Sequence, residues 1–174
     1  MILRGDGVVL RPLEASDSAS LHVAHADPMV HHFWSSPAHA TLAETEAYCV
    51  ATIAMPGAEV WAITETDSSE NGGEARGRVA LFKLRDGVGE FGIVMRRDAQ
   101  GKGLAGRAIA LLVERAFGNG FHRLFADIDP ENVASIRLFE RAGFTREAHL
   151  KANWVTHLGV RDTLIYARLR PDIA

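Results

Sequence analysis

The segment from Val88 to Ala116 limits the possible folds most sharply. An alternating, strand-like run, Val88 to Met95, passes through a glycine turn into an apolar-periodic helix. Gly101 and Gly103 let backbone N–H groups approach an anion with no Cβ in the way. A helix opening there turns its unpaired donors and positive dipole end toward the same point. The stretch therefore predicts a ligand that carries phosphates. Further along, Arg107, Glu114 and Arg115 keep to a narrow polar strip while Leu104, Ala108, Leu111, Leu112 and Ala116 make a broad apolar face, as in a helix laid on a sheet.

The surrounding pattern supplies the sheet. Val8 to Leu13 reads as a strand, with Pro12 near its end suiting an edge or a bulge. A helix from Ser16 to about His25 stops at Asp27-Pro28, and the capping box Thr41-Leu-Ala-Glu44 opens a second that runs to about Ala54. Glu59 to Thr64, Arg76 to Leu84 and Val88 to Met95 form an antiparallel meander, the last two joined by a tight turn at Asp86-Gly87. Strand and helix alternate only afterwards: strand Arg123 to Ile128, helix Asn132 to Ala142, strand Phe144 to His149, and a last strand Arg161 to Leu169. Asp67 to Glu74 is polar and turn-rich and reads as a loop. The expected architecture is one α/β (α+β) domain over residues 1–174, a mixed, mostly antiparallel central sheet with helices on both faces.

Composition removes several functional classes. A net charge of −3 offers no bulk attraction to nucleic acid or an anionic membrane. No stretch approaches the roughly 18 apolar residues of a spanning helix, so a cytoplasmic protein is expected. Cys49 is the only cysteine, which excludes an intrachain disulfide and a cysteine metal cluster and suggests a packed, structural thiol. His22, His25, His31, His32 and His39 show no paired spacing with a carboxylate or cysteine, and no metal is expected from them.

Two phosphate binders are excluded by context. A Walker A loop requires Ser or Thr after Gly-Lys, whereas Gly103 follows Gly101-Lys102. A dinucleotide fold requires its glycine loop after the first strand of a βαβ unit, and here the loop follows an antiparallel hairpin; the acidic Asp127 falls near the expected later spacing only by coincidence. Gln100-Gly-Lys-Gly-Leu-Ala105 resembles instead the Gln/Arg-x-x-Gly-x-Gly/Ala signature of the GNAT superfamily of acetyltransferases. Asp129-Pro-Glu-Asn-Val-Ala-Ser-Ile-Arg-Leu-Phe-Glu-Arg-Ala-Gly-Phe144 resembles that superfamily's second motif. Val9-Leu-Arg-Pro-Leu13, with Asn132 and Ser135 in an Asn-x-x-Ser arrangement, looks like the branch of ribosomal-protein N-terminal acetyltransferases.

The resemblance implies a GNAT-like acyl-CoA N-acyltransferase fold that holds acetyl-CoA between two splayed strands, one ending near Met95 and the other near Ile128. Backbone groups at Ile93, Val94 and Met95 would bond the pantetheine amides, with Gly92 as a bulge opening the gap. Gln100, Gly101, Lys102, Gly103, Leu104 and Ala105 would hold the pyrophosphate, and Arg96, Arg97, Lys102 and Arg107 are the side chains in reach of the ribose phosphate. Asn132, Ser135 and Phe139 would complete the cofactor site from the following helix.

Acetyl transfer to an amine needs a base, an oxyanion donor and a proton for the thiolate. Glu90 is the candidate base, and an N–H between Ile93 and Met95 the oxyanion donor. Many members carry a tyrosine acid where Phe139 stands; phenylalanine has no proton to give, so Ser135 is the candidate hydrogen-bond donor to sulfur. Asn132 and Ser135 equally suit a helix cap. Phe33, Trp34, Glu90 and Trp154 are the expected acceptor-binding residues. The acceptor is read as a small-molecule or peptide amine, either a protein N-terminus or a metabolite, with a polyamine or aminoglycoside as the alternative substrate and a non-catalytic acyl-CoA sensor as the alternative class. No metal, direct nucleic-acid or membrane partner is expected, and monomer and homodimer stay open.

Overall fold

The computed structural model describes residues 1–66 and 73–173. Strands β1 (Leu3–Gly5) and β2 (Val8–Pro12) lead through a 3-10 turn into helix α1 (Ser18–His25), a long loop, and helix α2 (Leu42–Ile53). Strands β3 (Ala58–Glu65), β4 (Gly77–Arg85) and β5 (Val88–Met95) follow as an antiparallel meander. Then come α3 (Leu104–Gly118), β6 (Arg123–Ile128), α4 (Val133–Arg141), β7 (Thr145–Thr156) and β8 (Gly159–Leu169). The sheet runs β1-β2-β3-β4-β5-β6-β8-β7, and its one parallel pair is β5 with β6. That pair must be parallel because α3 carries the chain back across the sheet between them.

Alternation along the strands sends side chains to two helical layers. Val8, Leu10, Ile63, Val79, Leu81 and Phe91 pack against Leu104, Ala108, Ile109 and Leu112 of α3 and Phe139 of α4. On the opposite face Leu13, Ala62 and Ala75 meet Leu21 of α1 and Cys49 of α2. Cys49 is fully buried, and that burial pushes its thiol pKa up, so it packs as a small apolar residue. Of the capping box expected at α2, Thr41 Oγ1 accepts from the Glu44 N–H at 3.3 Å, while the Glu44 carboxylate accepts from the Ala40 N–H at 2.8 Å rather than from that of Thr41.

Three expectations need correction. β1 was not foreseen, since three residues leave too short a pattern; the left-handed turn at Gly7 folds it onto β2. β7 continues past His149 to Thr156. It is the sheet's last strand, nearly all its side chains are exposed, and Ala152 at φ 51° interrupts its ladder with β8, so no hydrophobic alternation marks its second half. Finally, Gly92 is not a bulge: it pairs in register with Ala80, and the β4–β5 ladder shifts only between Lys83 and Arg85. Of the expected polar loop, Asp67 to Gly72 lies outside the described residues.

Candidate active site

β5 and β6 pair only at Val88↔Arg123, Gly89↔Leu124 and Glu90↔Phe125. Beyond that point β6 stays with β8 as far as Ile128↔Leu164, while β5 stays with β4 as far as Met95↔Gly77. Each strand follows its antiparallel partner, so the two part as a V whose β5 edge lacks a paired strand from Phe91 onward. A cleft of about 1070 Å³ and a pocket of about 270 Å³ adjoin there and share Phe33, Trp34, Ile93, Asn132 and Ser135.

One side of the cleft is formed by the turn between β5 and α3. Gly101 and Gly103 both adopt φ +76°, and Gly103 is the residue before α3. The first bond into the helix runs from Arg107 N–H to Gly103 C=O at 3.1 Å, so the N–H groups of Leu104, Ala105 and Gly106 have no partner within α3 and sit at its positive end. Gln100 steadies the approach by donating from Nε2 to the Met95 carbonyl at 3.3 Å, and Arg107 Nη2 donates to the Lys102 carbonyl at 3.1 Å. Ile93, Val94, Met95, Gln100, Gly101, Gly103, Leu104 and Ala105 all line the cleft.

The basic side chains there are not the expected ones. Arg97 reaches Asp27 at 3.1 Å, Arg96 is held by Asp98 at 2.8 Å and by Glu74, and Lys102 lies 3.7 Å from Glu65; none lines the cleft. Arg137, Arg141 and Arg168 do. The first two are four apart on α4, a helical spacing that was readable; Arg168 comes from β8, 25 or more positions later, with no local signal.

The pocket is built of side chains. Glu90 on β5 and Asp127 on β6 are both half-buried and face it. Burial raises the Glu90 pKa, and the neighbouring Asp127 charge raises it further. Burial also raises the Asp127 pKa, against the pull of Trp154, whose indole Nε1 donates to Asp127 Oδ2 at 2.6 Å. Neither carboxylate forms an ion pair among the described residues. Asp129, by contrast, is bonded to Arg161 at 2.8 and 3.0 Å. Burial raises its pKa, but the Arg161 pairing together with the bond from the Glu131 N–H outweighs burial, and the pKa falls. Asp127 was set aside in the sequence as a coincidence of spacing. The alternation of β6 was the overlooked signal, since Leu124, Ala126 and Ile128 go to the core and leave Phe125 and Asp127 on the other face.

α4 presents its residues to both hollows. Asn132 Oδ1 accepts from Ser135 N–H at 3.1 Å, so the cap exists and both side chains still border the cavities. Phe139 is 2% exposed and meets Phe91 and Phe144 edge-to-face at 6.2 and 5.1 Å, which fixes α4 against β5. Phe33 and Trp34 come from the α1–α2 loop and Trp154 from β7. The loop is clasped to the β7–β8 turn where His157 N–H donates to the Ser35 carbonyl at 3.1 Å.

A profile of the Acetyltransferase (GNAT) domain matches residues 8–145. The chain belongs to the GNAT acetyltransferases. The co-substrate of that family is acetyl-CoA. The spermidine N(1)-acetyltransferase of Escherichia coli (strain K12) is 29% identical over 146 residues, covering 82% of this chain and 75% of that protein. The probable N-acetyltransferase YjcK of Bacillus subtilis (strain 168) is 32% identical over 100 residues, and the match spans 55% of each chain. A GNAT-family acetyltransferase structure from Bacillus anthracis superimposes with a TM-score of 0.85 at 22% identity, covering 97% of this chain and 98% of that one, and shares the fold. No helix of the described residues is long and apolar enough to cross a membrane.

Proposed function

We propose that this GNAT domain, acting as a single unit over residues 1–174, transfers the acetyl group of acetyl-CoA to a primary amine on a small, multiply cationic acceptor. The observation that carries this reading is the pair Glu90 and Asp127, two half-buried carboxylates without a cationic partner among the described residues, facing one pocket edged by Phe33, Trp34 and Trp154. Such a site lowers its own electrostatic cost by taking in positive charge, and the aromatic faces favour the same ligand. The spermidine acetyltransferase among the relatives accords with it.

In the proposed reaction the pyrophosphate lies on the N–H groups of Leu104, Ala105 and Gly106, with Arg137, Arg141 and Arg168 facing the phosphate-rich end. The pantetheine arm runs along the open β5 edge from Ile93 to Met95, past Asn132, and brings the thioester to the point where cleft and pocket meet. One ammonium of the acceptor gives its proton to Glu90, directly or through a water, while Asp127 holds positive charge beside it. The free amine attacks the thioester carbonyl, a β5 backbone N–H takes the oxyanion, and the C–S bond breaks as the tetrahedral intermediate collapses. The departing thiolate is met by the Ser135 hydroxyl and protonated from solvent, which takes up the second proton that the attacking nitrogen loses on becoming an amide. Phe139 packs against the site and supplies no proton.

The test is release of free thiol from acetyl-CoA against diamines, polyamines, aminoglycosides and N-terminal peptides. Multiply charged amines are expected to be used best, with kcat/KM at least about 10-fold above that of a monoamine of similar length. Preferred turnover of a peptide with an acidic or neutral second residue would overturn the acceptor class and leave the family intact.

A further inference from the structure

Outside the transfer site, three histidines without sequence proximity to any ligand motif converge. His25 ends α1, His31 lies in the following loop and His39 stands just before α2. One ring nitrogen from each lies within 4.8 Å of the others, and two of the three residues are fully buried, His25 at 0% and His31 at 1% exposure. We propose that His25, His31 and His39 form a tri-histidine site for a divalent zinc-like ion, which fastens the α1–α2 loop that walls the acceptor pocket.

Geometry is the main argument. Three imidazoles on a tetrahedral ion with metal–nitrogen bonds of roughly 2.0–2.1 Å place their ring centroids about 5 Å apart. The three centroid separations here are 5.0, 4.9 and 5.2 Å, a nearly equilateral triangle. His25 Nδ1 and His31 Nε2 already lie 2.8 Å apart, sharing a proton that an ion would replace, and they need to part only to about 3.3 Å. His39 Nδ1 lies 2.9 Å from Thr45 Oγ1, whose hydroxyl in turn lies 2.7 Å from His22 Nδ1. With the His39 N–H donating to Thr45 and the Thr45 O–H to His22, the His39 Nε2 lone pair is left for the ion, and the hydroxyl fixes the tautomer. The rings of His25 and His39 are within 8° of parallel, so the half-exposed His39 must rotate to aim at the common point.

Arg78 is buried over the Trp34 and Tyr48 rings, and its Nε and Nη1 have no partner among the described residues. Arg78 acts electrostatically on all three rings, so an ion there would call for an anionic fourth ligand such as a hydroxide or a halide. The backbone already closes the loop through His39 N–H to the His25 carbonyl at 2.8 Å, so the ion would fasten a preformed turn.

The test uses the full chain stripped with a chelator and titrated with Zn²⁺ against a chromophoric competitor. One tight equivalent per chain is expected, with X-ray absorption showing three imidazole nitrogens at about 2.0–2.1 Å. His39→Ala, the least buried ligand, should weaken binding by at least about 10-fold, and His122→Ala, far from the cluster, should leave it unchanged. Zn²⁺ should raise the melting temperature of the unsubstituted chain and not that of His39→Ala, a readout independent of turnover. Binding that survives His39→Ala, that falls with His122→Ala, or that is absent would overturn the site.

Discussion

The two hollows that meet at the β5–β6 divergence are made of different materials. The proposed cofactor cleft offers backbone N–H groups from one strand edge and one helix start that are neighbours in sequence, with side chains of the α1–α2 loop, α4 and β8 around them. The proposed acceptor pocket is edged by side chains drawn from positions as far apart as Phe33, Glu90, Asp127 and Trp154. A backbone site depends on local conformation and is recognisable from two glycines. A side-chain site depends on which strands become neighbours, and its chemistry can change by substitution without disturbing the first. Such a division suits a family in which one co-substrate serves many acceptors.

The comparison breaks first at Glu90. Glu90→Gln should lower kcat by roughly 10²- to 10⁴-fold, the range for losing a general base, while acetyl-CoA binding measured by calorimetry stays as it was. Equal loss in both would mean that the hollows are not separable. Gly103→Val attacks the other side. A β-branched residue resists φ +76°, and its Cβ would stand 2.9 Å from Arg107 Nη1, so acetyl-CoA affinity should fall by at least about 10-fold. Unchanged affinity would remove the glycine loop from the phosphate site.

Asp127→Asn sharpens the contrast. Activity should rise with pH as Glu90 loses its proton, over a range above that of an ordinary glutamate because burial and the Asp127 charge both hold the proton on. Removing that charge should move the acidic limb of the kcat/KM profile to lower pH and raise KM for a polyamine several-fold, with KM for acetyl-CoA unmoved. A profile that stays in place would show that Glu90 is not the titrating base.

The smallest effect is on stability. Glu90 has a higher pKa folded than unfolded, so the native state binds more protons in that window and loses stability as pH rises through it. Glu90→Gln should therefore raise the melting temperature at pH 7.5 and leave it nearly unchanged at pH 4, where both states are largely protonated. A variant less stable at pH 7.5 would mean that the carboxylate is needed for packing rather than for chemistry.

Much of this was legible before any coordinates. The meander, the glycine loop and the capped helices α2 and α4 all follow from periods of two or 3.6 residues and from the stereochemistry of glycine and the capping residues, whereas Glu90 is a candidate base only through the family resemblance. The misses share one cause. β1 is too short and β7 too exposed to leave a pattern, Arg168 enters the cleft from a distant strand, and Asp127 matters only because β6 lies beside β5.

Local pattern alone determined that this chain makes a strand, turns on Gly101 and Gly103, and starts a helix whose open N–H groups suit a phosphate, because φ preferences and hydrogen-bond periodicity act within a few residues. Only the tertiary structure decided where β5 and β6 part, that Asp127 stands with Glu90, and that His25, His31 and His39 meet. Those facts depend on strand order and on the path of a loop, and such long-range pairings are selected by burial of the whole sheet rather than by any single segment.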